Sequence, residues 1–209
     1  LDQPAGPPGA TLRHLLAHAA GYGFQGDAVL ARPGTKRIYS NTGIEVAAEV
    51  VAEAAGMPFA QYLHEAVLAP LGIPAELRSS PAYGLRTDMA GLARFAQELL
   101  APTLVAPETF AEALTVQFPG LSGVLPLFGR HDPNDWGLTF ELRGGKQPHW
   151  TGTRNSAHTF GHYGGSGSFL WVDPEAGVAL CGLSDLDAGP WIHAAWPALS
   201  DAVLAELGR

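Results

Sequence analysis

Apolar residues recur every three or four positions through the first half of the chain, the pattern typical of amphipathic helices. Thr11 is the predicted N-cap of the first helix, and Thr42 with Glu45 forms a predicted capping box for the second. The predicted helices span 12–19 and 42–55, run from Pro58 to a stop at Pro70 and Gly72, run from Thr87 through Leu99, and begin again briefly at Pro107. Residues 11–115 are therefore predicted to form a mainly helical lobe.

Strand patterns replace the helical ones from residue 116 onward, where glycine, proline and aromatic residues dominate. Residues 136–142 alternate like a strand. Residues 159–174 predict another strand, whose glycine-rich start exposes its backbone and whose apolar end enters a core. Such glycines fit either a backbone that a ligand approaches or a bulged structural strand. A turn at 173–177 then leads into the apolar run 178–183.

The remaining elements complete an α+β prediction. Residues 144–157 form a polar loop that is either functional or mobile, and a helix is predicted from about Pro197 to Leu207. The apolar stripe of that helix is predicted to be Leu199, Ala202, Val203 and Leu207. The chain is thus expected to be one domain over 1–209, in which the helical lobe packs beside an antiparallel sheet lobe (116–209) that the C-terminal helix covers.

The run 178–183 is continuously apolar, which is the pattern of a strand buried on both faces and central in its sheet. Its hairpin partner can pair with only one of its edges, and an exposed apolar edge favours association with other chains. We therefore expect sequence upstream of residue 1, or a second copy of the chain, to pair at the open edge.

The charge balance argues against nucleic acid as a partner. The chain has 20 acidic and 12 basic side chains, a net charge of −8, whereas a phosphate backbone is bound by a basic surface. A single cysteine allows no disulfide within the chain. No apolar stretch has the length of a membrane span, and the first nine residues resemble an interior linker, so the sequence indicates no compartment.

His14 and His18 lie one turn apart on the first predicted helix, the spacing of a helical metal pair. A zincin motif would place glutamate directly after the first histidine, where Leu15 stands, and no third ligand is indicated. Packing or capping roles are therefore favoured for both histidines, and no metal is predicted.

Tyr39 and Asn41 are predicted to lie just outside the N-terminus of the second helix, a rigid position that favours negative charge. This segment alone fits a functional site. It fits equally a cap made by Asn41 and a core ring of Tyr39 whose hydroxyl is hydrogen-bonded.

Several motifs, in this order and spacing, resemble the serine β-lactamase and penicillin-binding protein superfamily, specifically its class C-like branch with D-alanyl-D-alanine carboxypeptidases and esterases. They are LRHLLAH at 12–18, Pro33-Gly34 ahead of Tyr39-Ser40-Asn41, PFAQYL at 58–63 with PLG at 70–72, and GHYGGSG at 161–167. The resemblance covers nearly the whole chain.

In that family an acyl-enzyme forms on the serine of a Ser-x-x-Lys helix, assisted by a Tyr-x-Asn motif and a Lys/His-x-Gly strand. The resemblance implies that Tyr39 shares in proton transfer and that Asn41 orients the substrate amide or ester. It also implies that His162 takes the place often held by lysine and that Gly164 leaves room for substrate. Gly165 would contribute one N–H to the oxyanion hole.

The sequence departs from the family pattern at the nucleophile. No Ser-x-x-Lys motif is present, because the residues three before Lys36 and Lys146 are Pro33 and Arg143. In the family this motif and the first strands lie upstream, so the chain is expected to be the C-terminal portion of a family member. His162, mostly neutral at pH 7, would hold a substrate carboxylate less well than lysine.

Three hypotheses remain open from the sequence. The first is a serine hydrolase acting through an acyl-enzyme on a small-molecule or peptide ester, amide or β-lactam, without a cofactor. The second is a catalytically inactive member that serves as a binding or regulatory module. The third, and weakest, is a metalloprotein built on the eight histidines.

Overall fold

The structure, a computed structural model, describes residues 1–209. The helices are α1 (Leu12–Leu16), α2 (Asn41–Ala55), α3 (Phe59–Leu63), a π-helical turn (His64–Leu68), α4 (Ala69–Leu71), α5 (Met89–Leu100), α6 (Pro107–Ala113) and α7 (Ile192–Glu206). The strands are β1 (Arg37–Ile38), β2 (Ala75–Leu77), β3 (Leu85–Thr87), β4 (Gly123–Leu125), β5 (Gly129–His131), β6 (Glu141–Leu142), β7 (Phe160–Tyr163), β8 (Phe169–Asp173) and β9 (Val178–Gly182). None of the helices has the length and apolar character needed to cross a membrane.

The helix ends follow local capping chemistry. In α1, Thr11 and His14 form a reciprocal capping box, which confirms the predicted N-cap and gives His14 a capping role. The predicted capping box of α2 is wrong, because Ser40 is the N-cap and its Oγ accepts the Gly43 N–H at 3.0 Å. Asn41 is consequently the first residue of α2 and lies inside the helix. The left-handed conformation of Gly56 ends α2 where predicted.

The other helices begin close to their predicted starts. Pro58 precedes a continuous helical segment that ends at Gly72, and Pro107 is the first residue of α6. The start predicted at Thr87 is two residues early, since Thr87 ends β3, Asp88 caps α5 by accepting the Gly91 N–H at 2.8 Å, and the helix begins at Met89.

The main sheet is antiparallel, with strand order β6-β7-β8-β9. One face packs on α7 through an aromatic core that includes Trp150, Trp171 and Trp196. The other face packs on α5 and α6 through Phe160 and Leu170. The sheet therefore lies between two helical layers, and a helix covers one face as predicted.

Two smaller sheets complete the fold. β1 pairs with β4 in parallel and β4 with β5 antiparallel, while β2 and β3 form a hairpin. The pairing of β1 with β4 joins the regions assigned to the helical lobe (11–115) and the sheet lobe (116–209), and that division stays a prediction.

Two predicted strands are wrong in the same way, because each contains a chain reversal. Residues 159–174 form two strands, β7 and β8, joined by a turn in which the Gly164 N–H donates to the Ser168 carbonyl at 2.8 Å. In 136–142, Trp136 bridges Glu141, so the chain turns back between them and only Glu141–Leu142 is a strand. The glycine-rich segment is thus a turn beside a strand, and it is not the exposed start of a strand.

The last two elements correct further details. β9 is an edge strand whose residues are all half-buried, so it is not the doubly buried central strand that its composition predicted. α7 begins at Ile192, five residues before the predicted start, and contains Pro197. Its buried positions are Ile192, Trp196, Ser200 and Leu204, whereas Leu199 and Leu207 of the predicted stripe are exposed.

Candidate active site

Tyr39 and His162 meet although 123 residues separate them in sequence. The Tyr39 hydroxyl lies 3.0 Å from His162 Nε2, within hydrogen-bond distance, and their ring centroids are 5.3 Å apart. Trp136 lies against both, with centroid distances of 5.8 Å to Tyr39 and 5.5 Å to His162. The structure thus brings together the two side chains that the motifs singled out, and adds a buried tryptophan to them.

The segment carrying Tyr39 is fixed by the start of α2. Ser40 caps that helix and its Oγ donates to the Gly23 carbonyl at 2.7 Å. The Asn41 backbone N–H donates to the Phe24 carbonyl at 2.8 Å, and the residue is 8% exposed. Because two consecutive residues on the helix side of Tyr39 are hydrogen-bonded, its ring projects from a rigid support.

β7 holds His162 in a strand that is paired on both sides. Gly161 lies opposite Glu141 of β6 and opposite Trp171 of β8. A side chain at Gly161 would collide with the Leu170 carbonyl, so glycine permits the close approach of the two strands. The position of His162 is therefore set by the sheet.

Burial determines the charge of the Tyr39–His162 pair. It lowers the pKa of His162 to about 4, an effect that the negative charge of Glu141 opposes only in part. Burial also raises the pKa of the Tyr39 phenol. Both rings are therefore neutral at pH 7. His162 Nδ1 is buried and has no hydrogen-bond partner, so the imidazole makes its only hydrogen bond through Nε2 to Tyr39.

The two predicted substrate-binding glycines differ in whether their backbone N–H is already hydrogen-bonded. The Gly164 N–H is bonded to the Ser168 carbonyl, and a side chain at Gly164 would come within 2.9 Å of Ser168 Oγ, so the turn itself requires a small residue there. Gly165 is exposed, its N–H donates to no backbone carbonyl, and a Cβ built on it would meet nothing within 4 Å. Of the two, Gly165 is the one whose backbone N–H is not already bonded within the turn.

A buried charged cluster lies behind β7, in the segment predicted to be a polar loop. Glu141 is fully buried and accepts hydrogen bonds from Lys146, from His149 Nε2 at 2.9 Å and from Trp150 Nε1 at 3.0 Å. Burial alone would raise the pKa of Glu141, but His149 and Lys146 hold it at about 2. Residues 144–157 form a loop as predicted, since no helix or strand lies between β6 and β7, and Lys146, His149 and Trp150 of this loop are buried.

Sequence reasoning missed two members of the site. Trp136 was placed in a strand with no function, and nothing in the sequence marks it beyond its size. The sequence predicts only a packing or capping role for His18, yet its ring lies 4.6 Å from those of both Tyr39 and Trp136. No group of three or more His, Cys, Asp and Glu side chains is arranged to hold a metal ion.

Two cavities lie away from the Tyr39–His162 pair. One of about 420 Å³ is lined by residues such as Asp135 and His158, and another of about 390 Å³ is lined mostly by apolar residues between the π-helical turn, α5 and α6. Neither is lined by Tyr39 or His162, so the candidate site rests on the contact between these two side chains.

Comparison with known proteins establishes the family. The β-lactamase family model matches residues 1–204, and the chain belongs to that family. A crystal structure of a β-lactamase from Mycobacterium bovis is 55% identical, with a TM-score of 0.97, over 99% of this chain and 78% of that one. The resemblance inferred from the motifs and the predicted α+β fold class are both confirmed.

More distant structures share the fold. A mutant of simvastatin synthase from Aspergillus terreus is 19% identical, with a TM-score of 0.73, over 97% of this chain and 70% of that one. A hydrolase with promiscuous acyltransferase activity is 17% identical, with a TM-score of 0.75, over 96% of this chain and 74% of that one. No curated protein matches the chain significantly. The chain therefore has the fold of β-lactamase-family hydrolases.

Proposed function

We propose that the chain forms the larger part of a serine hydrolase that acts through an acyl-enzyme on an ester, amide or β-lactam. The nucleophilic serine and its lysine would lie outside these 209 residues, since the chain contains no Ser-x-x-Lys motif. The observation that carries the proposal is the hydrogen bond between Tyr39 and His162, which joins the Tyr-x-Asn and His-x-Gly motifs of the family in one cluster.

Tyr39 would move the proton during acylation. With Tyr39 as the phenolate, the serine oxygen attacks the carbonyl carbon, its proton passes to the Tyr39 oxygen, and Tyr39 returns that proton to the leaving alcohol or amine as that bond breaks. Because burial raises the pKa of Tyr39, this step needs a nearby positive charge to stabilise the phenolate, which the lysine of the nucleophile motif would supply. Water then hydrolyses the acyl-enzyme by the reverse path.

Substrate orientation would come from the remaining predicted residues. Asn41 would orient the substrate amide or ester group, Gly164 would keep the turn beside β7 compact, and the Gly165 N–H would face the developing oxyanion. His162, neutral at pH 7, offers no fixed charge to a carboxylate. We therefore favour an uncharged ester over a carboxylate-bearing β-lactam as the substrate, and a small molecule or a peptide could carry that ester.

Covalent labelling of the full-length protein tests this proposal. A fluorophosphonate probe followed by intact-mass and peptide analysis should add one adduct on a serine outside residues 1–209. The 209-residue chain alone should give none, and a labelled serine within it would show that the nucleophile is misassigned. No adduct on the full-length protein would instead favour a catalytically inactive binding or regulatory module.

We further propose that upstream sequence pairs with the free edge of β9. This strand hydrogen-bonds only to β8, and its five residues are half-buried. Amide hydrogen exchange at 178–182 should be slower in the full-length protein than in the 209-residue chain. Equal exchange in the two proteins would contradict the pairing, and slowing that depends on protein concentration would indicate a second copy of the chain.

A further inference from the structure

His18 accepts hydrogen bonds from the backbone on both sides of Tyr39. Its carbonyl oxygen accepts the Ile38 N–H at 2.8 Å, and its ring Nδ1 accepts the Ser40 N–H at 3.2 Å. These two amides flank Tyr39 directly, so one residue fixes the backbone that precedes Tyr39 and the backbone that follows it. We propose that His18 is a positioning residue that aims the Tyr39 hydroxyl at the reacting group, an inference that rests on the proposed function of Tyr39.

An unusual backbone conformation makes the double contact possible. α1 ends at Leu16, and His18 then adopts a left-handed φ of +54°, which is uncommon for residues with a side chain, although histidine adopts it more often than most. In this conformation the carbonyl and the imidazole of His18 both reach the segment 38–40. A strained residue that carries a specific contact is typical of a position whose geometry is important for function.

The His18 ring also supports the Tyr39 ring from the side. Its centroid lies 4.6 Å from that of Tyr39 at an interplanar angle of 43°, and 4.6 Å from that of Trp136 at 90°. His162 contacts the same tyrosine through the hydroxyl. Tyr39 is thus held at its backbone and ring face by His18 and at its oxygen by His162.

The contacts require a neutral His18. Because Nδ1 accepts an N–H, the proton of the ring must be on Nε2, and a protonated ring would place a second donor against the Ser40 amide. Consistent with this, burial lowers the pKa of His18 to about 3, with smaller contributions from the charges of His162 and Arg37. His18 therefore acts as an acceptor and does not transfer protons.

Two substitutions separate the Nδ1 contact from the backbone requirement. Asparagine tolerates a left-handed φ and places Oδ1 close to where histidine has Nδ1, so His18→Asn keeps the acceptor. Glycine tolerates the same φ but has no acceptor, so His18→Gly removes it. Leu127→Gly, at an exposed residue with φ of +65°, is the matched control for introducing a glycine at such a position.

Kinetics of the full-length protein with an uncharged p-nitrophenyl ester should show a loss of kcat without a matching rise in KM. We expect H18G to lower kcat about tenfold or more, H18N to restore most of that loss, and L127G to leave kcat unchanged. The Ser40 amide should exchange faster in H18G than in wild type or H18N. Equal kcat values for H18G and wild type, or a tenfold loss in H18N despite a protected Ser40 amide, would overturn the proposal.

Two measurements keep this test separate from the test of the proposed function. If the wild-type protein hydrolyses no ester and takes no adduct, the hydrolase proposal fails, and the ring ¹⁵N shifts of His162 then report whether the bond to Tyr39 depends on His18. Shifts that move in H18G but not in H18N would support positioning, and identical shifts in all three would contradict it. Should H18G not fold, His18→Ala, which also lacks the Nδ1 acceptor, takes its place in the same comparisons with H18N and wild type.

Discussion

Glu141 lies opposite Gly161 in the pairing of β6 with β7, so a fully buried carboxylate stands beside the residue that precedes His162. The carboxylate binds Lys146, whose ammonium also donates to the backbone carbonyls of Asp135 and Leu142. One ion pair therefore joins β6 to the segment that follows it and fixes the strand that supports the candidate site.

Removing the charge of Glu141 should destabilise the protein strongly. Glu141→Gln leaves Lys146 buried at 5% exposure without its counter-charge, and loss of one partner of a buried pair costs about 3 to 5 kcal/mol. The free energy of unfolding from urea titration measures this. The control is Glu175→Gln at the exposed His158–Glu175 pair, which should cost less than about 1 kcal/mol. Similar losses in the two variants would show that the buried pair has no special role.

Stability should fall as the pH is lowered below about 6.5. The pKa values of His162 and His18 are about 4 and about 3 in the folded protein, against 6.5 in the unfolded chain, so the unfolded state binds protons first. Each histidine contributes a slope of up to about 1.4 kcal/mol per pH unit, down to pH 4 for His162 and pH 3 for His18.

Urea unfolding between pH 8 and pH 5 measures that slope. Because His162→Asn removes one titrating group, it should reduce the slope between pH 6.5 and pH 5 by up to about 1.4 kcal/mol per pH unit, the contribution of a single histidine. A slope identical to that of the wild type would mean that His162 is not buried in its neutral form.

Loss of the Tyr39 hydroxyl should reduce acylation far more than stability. Tyr39→Phe keeps the ring against His18 and Trp136 but removes the proton-transfer oxygen, and such groups contribute about 10²- to 10⁴-fold to rate. The rate of adduct formation on the full-length protein, followed by intact mass, is the measurement. Tyr83→Phe, at an exposed tyrosine, is the control. An unchanged adduct rate in Tyr39→Phe would remove Tyr39 from the mechanism.

The cap of α2 can be tested directly. Ser40→Ala removes both the acceptor for the Gly43 N–H and the donor to the Gly23 carbonyl, so it should cost about 1 to 2 kcal/mol of unfolding free energy. Thr42→Ala removes only one longer bond, of 3.2 Å to the Gly26 carbonyl, and should cost less. The reverse order in urea titrations would favour the capping box predicted from Thr42 and Glu45.

The helix ends that depend on the conformation of a single residue could be predicted from the sequence. Gly56 and Gly72 end helices in left-handed conformations, and Pro58 and Pro107 begin them. Tyr39 and His162 could be selected because both belong to short motifs of the family. Their hydrogen bond follows from no local pattern, because 123 residues separate them.

Predictions failed where a feature depends on a partner that is distant in sequence. Ser200 is polar but lies on the buried stripe of α7, since its hydroxyl accepts the Trp171 indole N–H at 3.1 Å, and so the predicted stripe was misplaced. Lys146 lies in the predicted polar loop, yet it is buried because it pairs with Glu141, a partner that no local pattern indicates. The proposed positioning role of His18 depends on a left-handed backbone conformation that no sequence pattern predicts.

The neutrality of the Tyr39–His162 pair has a consequence for how substrates reach it. Neither side chain carries a fixed charge, so the contribution of these 209 residues to the long-range field comes from the surrounding side chains, whose formal net charge is −8. Anionic esters should be repelled during diffusional encounter, and added salt should speed their reaction by screening that field. Encounter with uncharged esters should be nearly independent of ionic strength.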